Sequence, residues 1–127
     1  MTGQADILVV EDEVAMADAM RRMLHITGYA TRRAENGLLA LQAVAKQRPA
    51  LVLLDILMPV MDGWQCAREL RVRYGHSLPI VIVTAAEHVW ARAAELGADD
   101  VLAKPFEMQD FLAVVGRYAA PCRAKAD

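Results

Sequence analysis

The sequence predicts an α/β domain in which five parallel strands form one sheet between two helical layers. Three observations predict it. Short apolar runs alternate with longer helical periods five times along the chain. The clearest runs are continuously apolar, which marks strands covered on both faces. The connections are short, so right-handed crossovers bring successive strands into one doubly wound parallel sheet. The 127 residues fit a single domain of this kind, and a chain of that size buries a core without metal or disulfide.

Each element has its own signal. Residues 7–10, Ile-Leu-Val-Val, are too short for a helix and bounded by acids, and form the first strand. Val14, Ala17, Met20 (or Arg21) and Leu24 recur every three or four residues and predict the inner face of a helix. Asp18, Arg22 and His25 turn outward, and Gly28 stops that helix. Residues 29–34 are a weaker strand, expected near a sheet edge. Asn36 caps a helix running through Leu38, Leu41 and Val44 to Gln47, ended by Arg48-Pro49. Residues 50–54 form the third strand. Asp62 caps a helix from Gly63 to Arg73, closed by Tyr74-Gly75-His76. Residues 80–83 are the fourth strand, and a helix over 87–96 stops at Gly97. Residues 99–103 are a second weak strand for the other edge. The last helix begins near Glu107 and carries Phe111, Leu112 and Val115 inward. Residues 1–4 are read as a short extension, 5–118 as the domain, and 119–127, small and polar with Pro121, as a flexible tail.

Composition narrows the function classes without choosing one. Sixteen acids against 14 Lys and Arg give a formal charge of −2, unlike the strongly basic balance of an electrostatic nucleic-acid binder. No apolar run approaches the ~20 residues of a membrane span. The N-terminus carries no basic stretch followed by an apolar one, so no signal peptide is expected and the cytoplasm is the expected location. Cys66 and Cys122 form no CxxC, as suits a reducing compartment. No GxxxxGK[ST] or GxGxxG nucleotide loop is present.

In a doubly wound sheet the ligand site lies beyond the C-terminal strand ends, so the residues after each apolar run matter most. They are Glu11 and Asp12 after the first strand, Asp55 after the third, Thr84 after the fourth and Lys104 after the fifth. Two carboxylates at 4 Å repel by about 4 kcal/mol at an effective dielectric of ~20. Three on one rim therefore raise a pKa, bind a cation, or both. All-oxygen ligands with room for water suit Mg²⁺ rather than zinc. Lys104 and the Thr84 hydroxyl suit an anion with several oxygens. A divalent cation, an anionic group and a carboxylate nucleophile together describe phosphoryl transfer to an aspartate. Asp55, on the strand expected near the sheet centre, is the best nucleophile.

These residues also carry a resemblance. Glu11-Asp12, the run from Asp55 through Met58-Pro59 to Asp62-Gly63, Thr84-Ala85, and the run from Gly97 through Lys104-Pro105-Phe106 resemble the receiver domain of bacterial response regulators. The likeness spans about residues 5–118, and the ordered set is specific although each motif alone is weak. It implies a flavodoxin-like sheet of order 2-1-3-4-5 with five helices. It implies that Asp55 receives a phosphoryl group from a phosphohistidine of a sensor histidine kinase or a histidine phosphotransfer protein. Glu11, Asp12, Asp55 and the Leu57 backbone carbonyl would hold Mg²⁺. Thr84 would bind one phosphoryl oxygen, and Lys104 another or, before phosphorylation, Asp55. Pro105 would be cis. The protein would be a stand-alone signalling phosphoacceptor, not an enzyme on external substrates. It would act through protein contacts with a downstream target, with homodimerisation compatible and no nucleic acid or membrane contacted directly.

Two departures from the family pattern stand out. Val101 occupies a place where most receivers carry Tyr or Phe, and the connection from Thr84 to Lys104 is shorter than in most relatives. Both favour a switch unlike the usual one. The alternatives are a constitutive receiver-like interaction module, or a receiver excised from a hybrid kinase. A phosphatase on the same topology would need an acid two residues after the nucleophile, where Leu57 stands. Apolar Leu57 and Ala86 offer nothing to position a hydrolytic water, so no unusually short phosphoryl lifetime is expected. Other polar residues are assigned plainer roles. Glu13, Asp99 and Asp100 are expected as surface or capping acids, His25, His76 and His88 as solvated or packing residues, and Trp64 and Trp90 as packing. Arg21, Arg22, Arg32 and Arg33 are expected on a solvated or partner-contacting face.

Overall fold

The computed structural model describes residues 6–56, 63–84 and 97–120. Its elements are β1 (Asp6–Val10), α1 (Val14–Thr27), β2 (Ala30–Ala34), α2 (Gly37–Lys46), β3 (Leu51–Asp55), α3 (Gly63–Tyr74), β4 (Ile80–Thr84), β5 (Asp100–Ala103) and α4 (Met108–Tyr118), with a 3₁₀ turn at Gly75–Ser77. The sheet order is β2-β1-β3-β4-β5, and every neighbouring pair is parallel. The expected order and both expected edge strands are therefore present. The helix expected over 87–96 lies outside the described residues, so four of the five expected helices are seen.

Strand alternation divides the core between two faces. On one, Ile7, Val9, Leu51, Leu53, Val81 and Val83 pack against Ala17, Met20 and Leu24 of α1 and Phe111, Val114 and Val115 of α4. On the other, Leu8, Val10, Val52, Leu54, Ile80 and Ile82 pack against Ala40, Leu41 and Val44 of α2 and Cys66, Ala67 and Leu70 of α3. Every residue of β1, β3 and β4 is buried, which is why those runs are continuously apolar except at Asp6, Asp55 and Thr84. Fully burying one such aliphatic side chain contributes about 1.5–3 kcal/mol.

The helix signals hold at both kinds of terminus. Asn36 Oδ1 accepts the Leu39 N–H at 2.9 Å, the expected N-cap of α2. Gly28 ends α1 with φ 104°; its N–H reaches the His25 carbonyl at 3.0 Å and that of Tyr29 reaches Leu24 at 2.9 Å. A side chain at that φ would be strained, so glycine suits the stop. One residue expected on an inner face, Val14, points elsewhere, and Leu38 near the start of α2 is exposed as well. Val14 is 60% exposed and Leu38 45% exposed. Val14 is the first residue of α1. Leu38 lies about 100° round the helix from Gly37, which shares the inner face with Ala40, Leu41 and Val44.

The N-terminal end of the sheet, opposite the rim of interest, is fixed by Arg71 of α3. Its guanidinium donates to the carbonyls of Gly75 at 2.8 Å, Leu78 at 2.7 Å and Gly97 at 2.6 Å, and pairs with Asp99 Oδ2 at 2.7 Å. The same Asp99 oxygen accepts the Ile80 N–H at 2.8 Å, so this acid, exposed as expected, also ties α3 to β4. Beyond α4, Ala119 is buried and its carbonyl accepts the Tyr29 hydroxyl at 2.8 Å. Ala119, expected as the first residue of the flexible tail, is thus buried and hydrogen-bonded instead.

Candidate functional site

The rim at the C-terminal strand ends is built by the sheet itself. The Glu11 N–H donates to the Ala34 carbonyl at 3.1 Å, which carries the β1–β2 pairing one residue past β1. Asp55 closes β3 opposite Val83, and Thr84 closes β4 opposite Ala103. The Lys104 N–H reaches the Thr84 carbonyl at 2.9 Å, so the β5 end is held to β4 as well. Lys104-Pro105 is cis, as the resemblance implied. Glu11, Asp55 and Thr84 are buried, whereas Asp12 is exposed.

Glu11, Asp12 and Asp55 each offer a carboxylate oxygen, and these oxygens lie within 4.8 Å of one another. At that separation two unit charges repel by about 3.5 kcal/mol at an effective dielectric of ~20. Pairs that include the exposed Asp12 are screened further. The cluster is not left uncompensated. Lys104 Nζ lies 2.9 Å from Glu11 Oε1 and 3.7 Å from Asp55 Oδ2, and the Glu13 N–H donates to Glu11 Oε2 at 3.3 Å. The expected Lys104–Asp55 pairing is thus the longer of two, and Glu11 takes the shorter contact. Burial works to lower the Lys104 pKa, but the Glu11 hydrogen bond and the charges of Asp55, Glu11 and Glu13 outweigh it and raise it overall. The ammonium therefore stays charged across the neutral range.

The donor chemistry fits a hard divalent cation. Three carboxylates supply oxygens alone, and Asp12 leaves one side of the cluster open to water, matching an ion that keeps part of its hydration shell. Leu57, whose carbonyl completes the expected ligand set, lies outside the described residues, as do Met58, Pro59, Asp62, Ala85, Ala86, His88, Trp90 and Cys122. Val101 sits in β5 opposite Ile82, half-buried and packed against the α2–α3 side of the core. Phe106, just past the lysine, stacks on Phe111 of α4 with centroids 5.1 Å apart.

One support of the site was read from the sequence only as a helix start, and another not at all. Gly63, the first residue of α3, donates its N–H to the Ile56 carbonyl at 2.8 Å. A Cβ there would meet Ile56 Cα at 2.4 Å and the Asp55 carbonyl oxygen at 2.5 Å. Only glycine lets α3 begin so close to the strand end that carries Asp55. Arg33, expected on a solvated face, turns to the rim. Its guanidinium donates to the Glu11 carbonyl at 3.2 and 3.0 Å and to the Asp12 carbonyl at 3.1 Å. The available signal was its place one residue from the end of a strand beside an acidic turn. Arg32 likewise turns inward, onto Asp6 at 2.7 Å and the carbonyls of Ala43 and Gln47.

Comparison with known proteins agrees with the geometry. The family model described as the response regulator receiver domain matches residues 7–116. Response regulator MprA of Mycobacterium sp. (strain KMS) is 44% identical over 109 residues, covering 84% of this chain and 47% of MprA. The chain therefore spans about half the length of the curated relatives it matches. Among solved structures, response regulator TrrA from Thermotoga maritima in complex with Mg²⁺–BeF is 30% identical with a TM-score of 0.85, covering 91% of this chain and 99% of that one. The receiver domain of NtrX from Brucella abortus is 32% identical with a TM-score of 0.83, covering 89% and 97%.

Proposed function

The chain belongs to the response regulator receiver family, and from that premise we propose that Asp55 is its phosphoacceptor and that Glu11, Asp12 and Asp55 hold Mg²⁺. The observation that carries the proposal is the convergence of those three carboxylates within 4.8 Å, with Lys104 Nζ 3.7 Å from Asp55. The donor is a phosphohistidine on a sensor histidine kinase or a histidine phosphotransfer protein. An Asp55 carboxylate oxygen attacks phosphorus as the P–N bond breaks, and the bonding pair leaves with the imidazole. When bound, Mg²⁺ would supply positive charge against the oxygens of the transferring group, and the Leu57 backbone carbonyl and waters would join the three carboxylates in holding it. Lys104, held in its charged form, provides a second cation for a phosphoryl oxygen, and the Thr84 hydroxyl a donor for another. The similar structure of TrrA is in complex with Mg²⁺–BeF, which supports the reading of a Mg²⁺ site.

The phosphorylated protein then signals through contacts with a downstream protein in the cytoplasm. Among the described residues no helix is long and apolar enough to cross a membrane. Val101 lacks the ring and hydroxyl of a tyrosine, so the output surface responds through a different rearrangement. The test is phosphotransfer from a labelled phosphohistidine donor in the presence of Mg²⁺. Label is expected on the wild type and absent from Asp55→Asn, and chelation of the metal slows transfer. Equal labelling of Asp55→Asn would reject Asp55 as the acceptor.

A further inference from the structure

Two of the three carboxylates proposed as cation ligands sit on the short turn between β1 and α1. That turn has few restraints of its own. Glu13, the N-cap residue of α1, makes no side-chain capping bond, and Asp12 is exposed. The backbone there is pinned by the Glu11 N–H to Ala34, by the Glu13 N–H to Glu11 Oε2 and by Arg33. Arg33 lies on β2 opposite Val9, and its three hydrogen bonds all go to backbone carbonyls, two to Glu11 and one to Asp12.

Resting on the reading of Glu11 and Asp12 as cation ligands, we propose that Arg33 is a positioning residue for the metal site. Its guanidinium holds the peptide groups of residues 11 and 12 so that both carboxylates meet Asp55. A planar fork with several donors grips two neighbouring carbonyls at once, which a single ammonium does not. Outer residues that orient metal ligands typically carry about 10–100-fold in metal affinity. The sign of the effect separates this role from a mere charge. A cation beside a Mg²⁺ site repels the metal, so deleting Arg33 as a charge would tighten binding. Deleting it as a positioner loosens binding. Lys46 lines the same groove beside β2 as Arg33 and provides the charge-only control.

The experiment is a Mg²⁺ titration of the full chain followed by two-dimensional amide NMR, with amide exchange rates measured on the metal-free protein. Arg33→Ala and Arg33→Gln are expected to weaken Mg²⁺ binding about 10-fold and to speed amide exchange at Glu11 and Glu13, whose N–H groups are hydrogen-bonded, while amides of β3 keep their protection. Arg33→Lys restores part of the affinity and guards against a variant that fails to fold. Lys46→Ala leaves binding unchanged or slightly tighter. Unchanged or tighter binding in Arg33→Ala, with wild type binding normally, overturns the positioning role. A wild type that takes no Mg²⁺ overturns the metal-site reading itself, and the inference with it.

Discussion

Gly63→Ala is the smallest change that strikes the rim without altering a polar side chain. Its Cβ would stand 2.4 Å from Ile56 Cα and 2.5 Å from the Asp55 carbonyl oxygen, more than ~1 Å inside ordinary contact at about 3.5–4.0 Å. Both neighbours are backbone, so neither swings aside. Relief requires the start of α3 to move off the β3 end, stretching the 2.8 Å Gly63 N–H to Ile56 bond. Losing that bond costs about 1 kcal/mol, and the overpacking a further ~1–3 kcal/mol. The expected destabilisation is therefore about 2–4 kcal/mol, or a fall in Tm of roughly 6–15 °C for a domain of this size. Gly116→Ala is the control, because a Cβ there meets nothing within 4 Å and alanine is the better helix former by about 1 kcal/mol. Thermal melts followed by circular dichroism decide. A Gly63→Ala melt within 2 °C of wild type, alongside a stabilised Gly116→Ala, would refute the close approach of α3 to the β3 end.

Three further outcomes follow from the same geometry. Asp12→Asn relieves carboxylate repulsion in the metal-free protein and raises its Tm by about 1–3 °C, while weakening Mg²⁺ binding; melts with and without Mg²⁺ show both signs. Arg71→Ala strands the acceptors at Gly75, Leu78 and Gly97 and removes the ion pair to Asp99, which keeps the Ile80 N–H, costing about 1–3 kcal/mol by urea unfolding; Arg71→Lys recovers little of it, since one ammonium cannot span those acceptors. Burial raises the Tyr29 phenol above its usual 10.0, so its share of stability is fully present below about pH 10 and is lost as pH climbs through the folded value. Tyr29→Phe costs about 0.5–1.5 kcal/mol at neutral pH and makes the alkaline fall of stability shallower; burial likewise raises Tyr118, so some alkaline fall remains in the variant.

The fold was legible where side-chain pattern alone decides it. β1, β3 and β4 are buried on both faces, and their runs carry that fact in every residue. The edge strands were legible only as weak candidates, since β2 is half-buried and holds Arg32 and Arg33. The inner face of α1 was read correctly at Ala17, Met20 and Leu24 and wrongly at its first residue, Val14, which is exposed. The rim residues were legible because doubly wound topology assigns chemistry to strand ends. How they pair was not: the preference of Lys104 for Glu11 over Asp55 depends on sub-ångström placement. The bond from Tyr29 to Ala119 joins residues 90 apart, and no local pattern announces it. Arg33 stayed hidden because an arginine on an edge strand looks the same in sequence whether it faces water or grips a turn.

The most direct test of the central claim is intact mass after incubation with Mg²⁺ and a small-molecule phosphodonor such as acetyl phosphate. The wild type should gain the mass of one phosphoryl group, lose it on mild alkaline hydrolysis as an acyl phosphate does, and gain nothing as Asp55→Asn. No adduct on the folded, Mg²⁺-loaded wild type, or an equal adduct on Asp55→Asn, would contradict it.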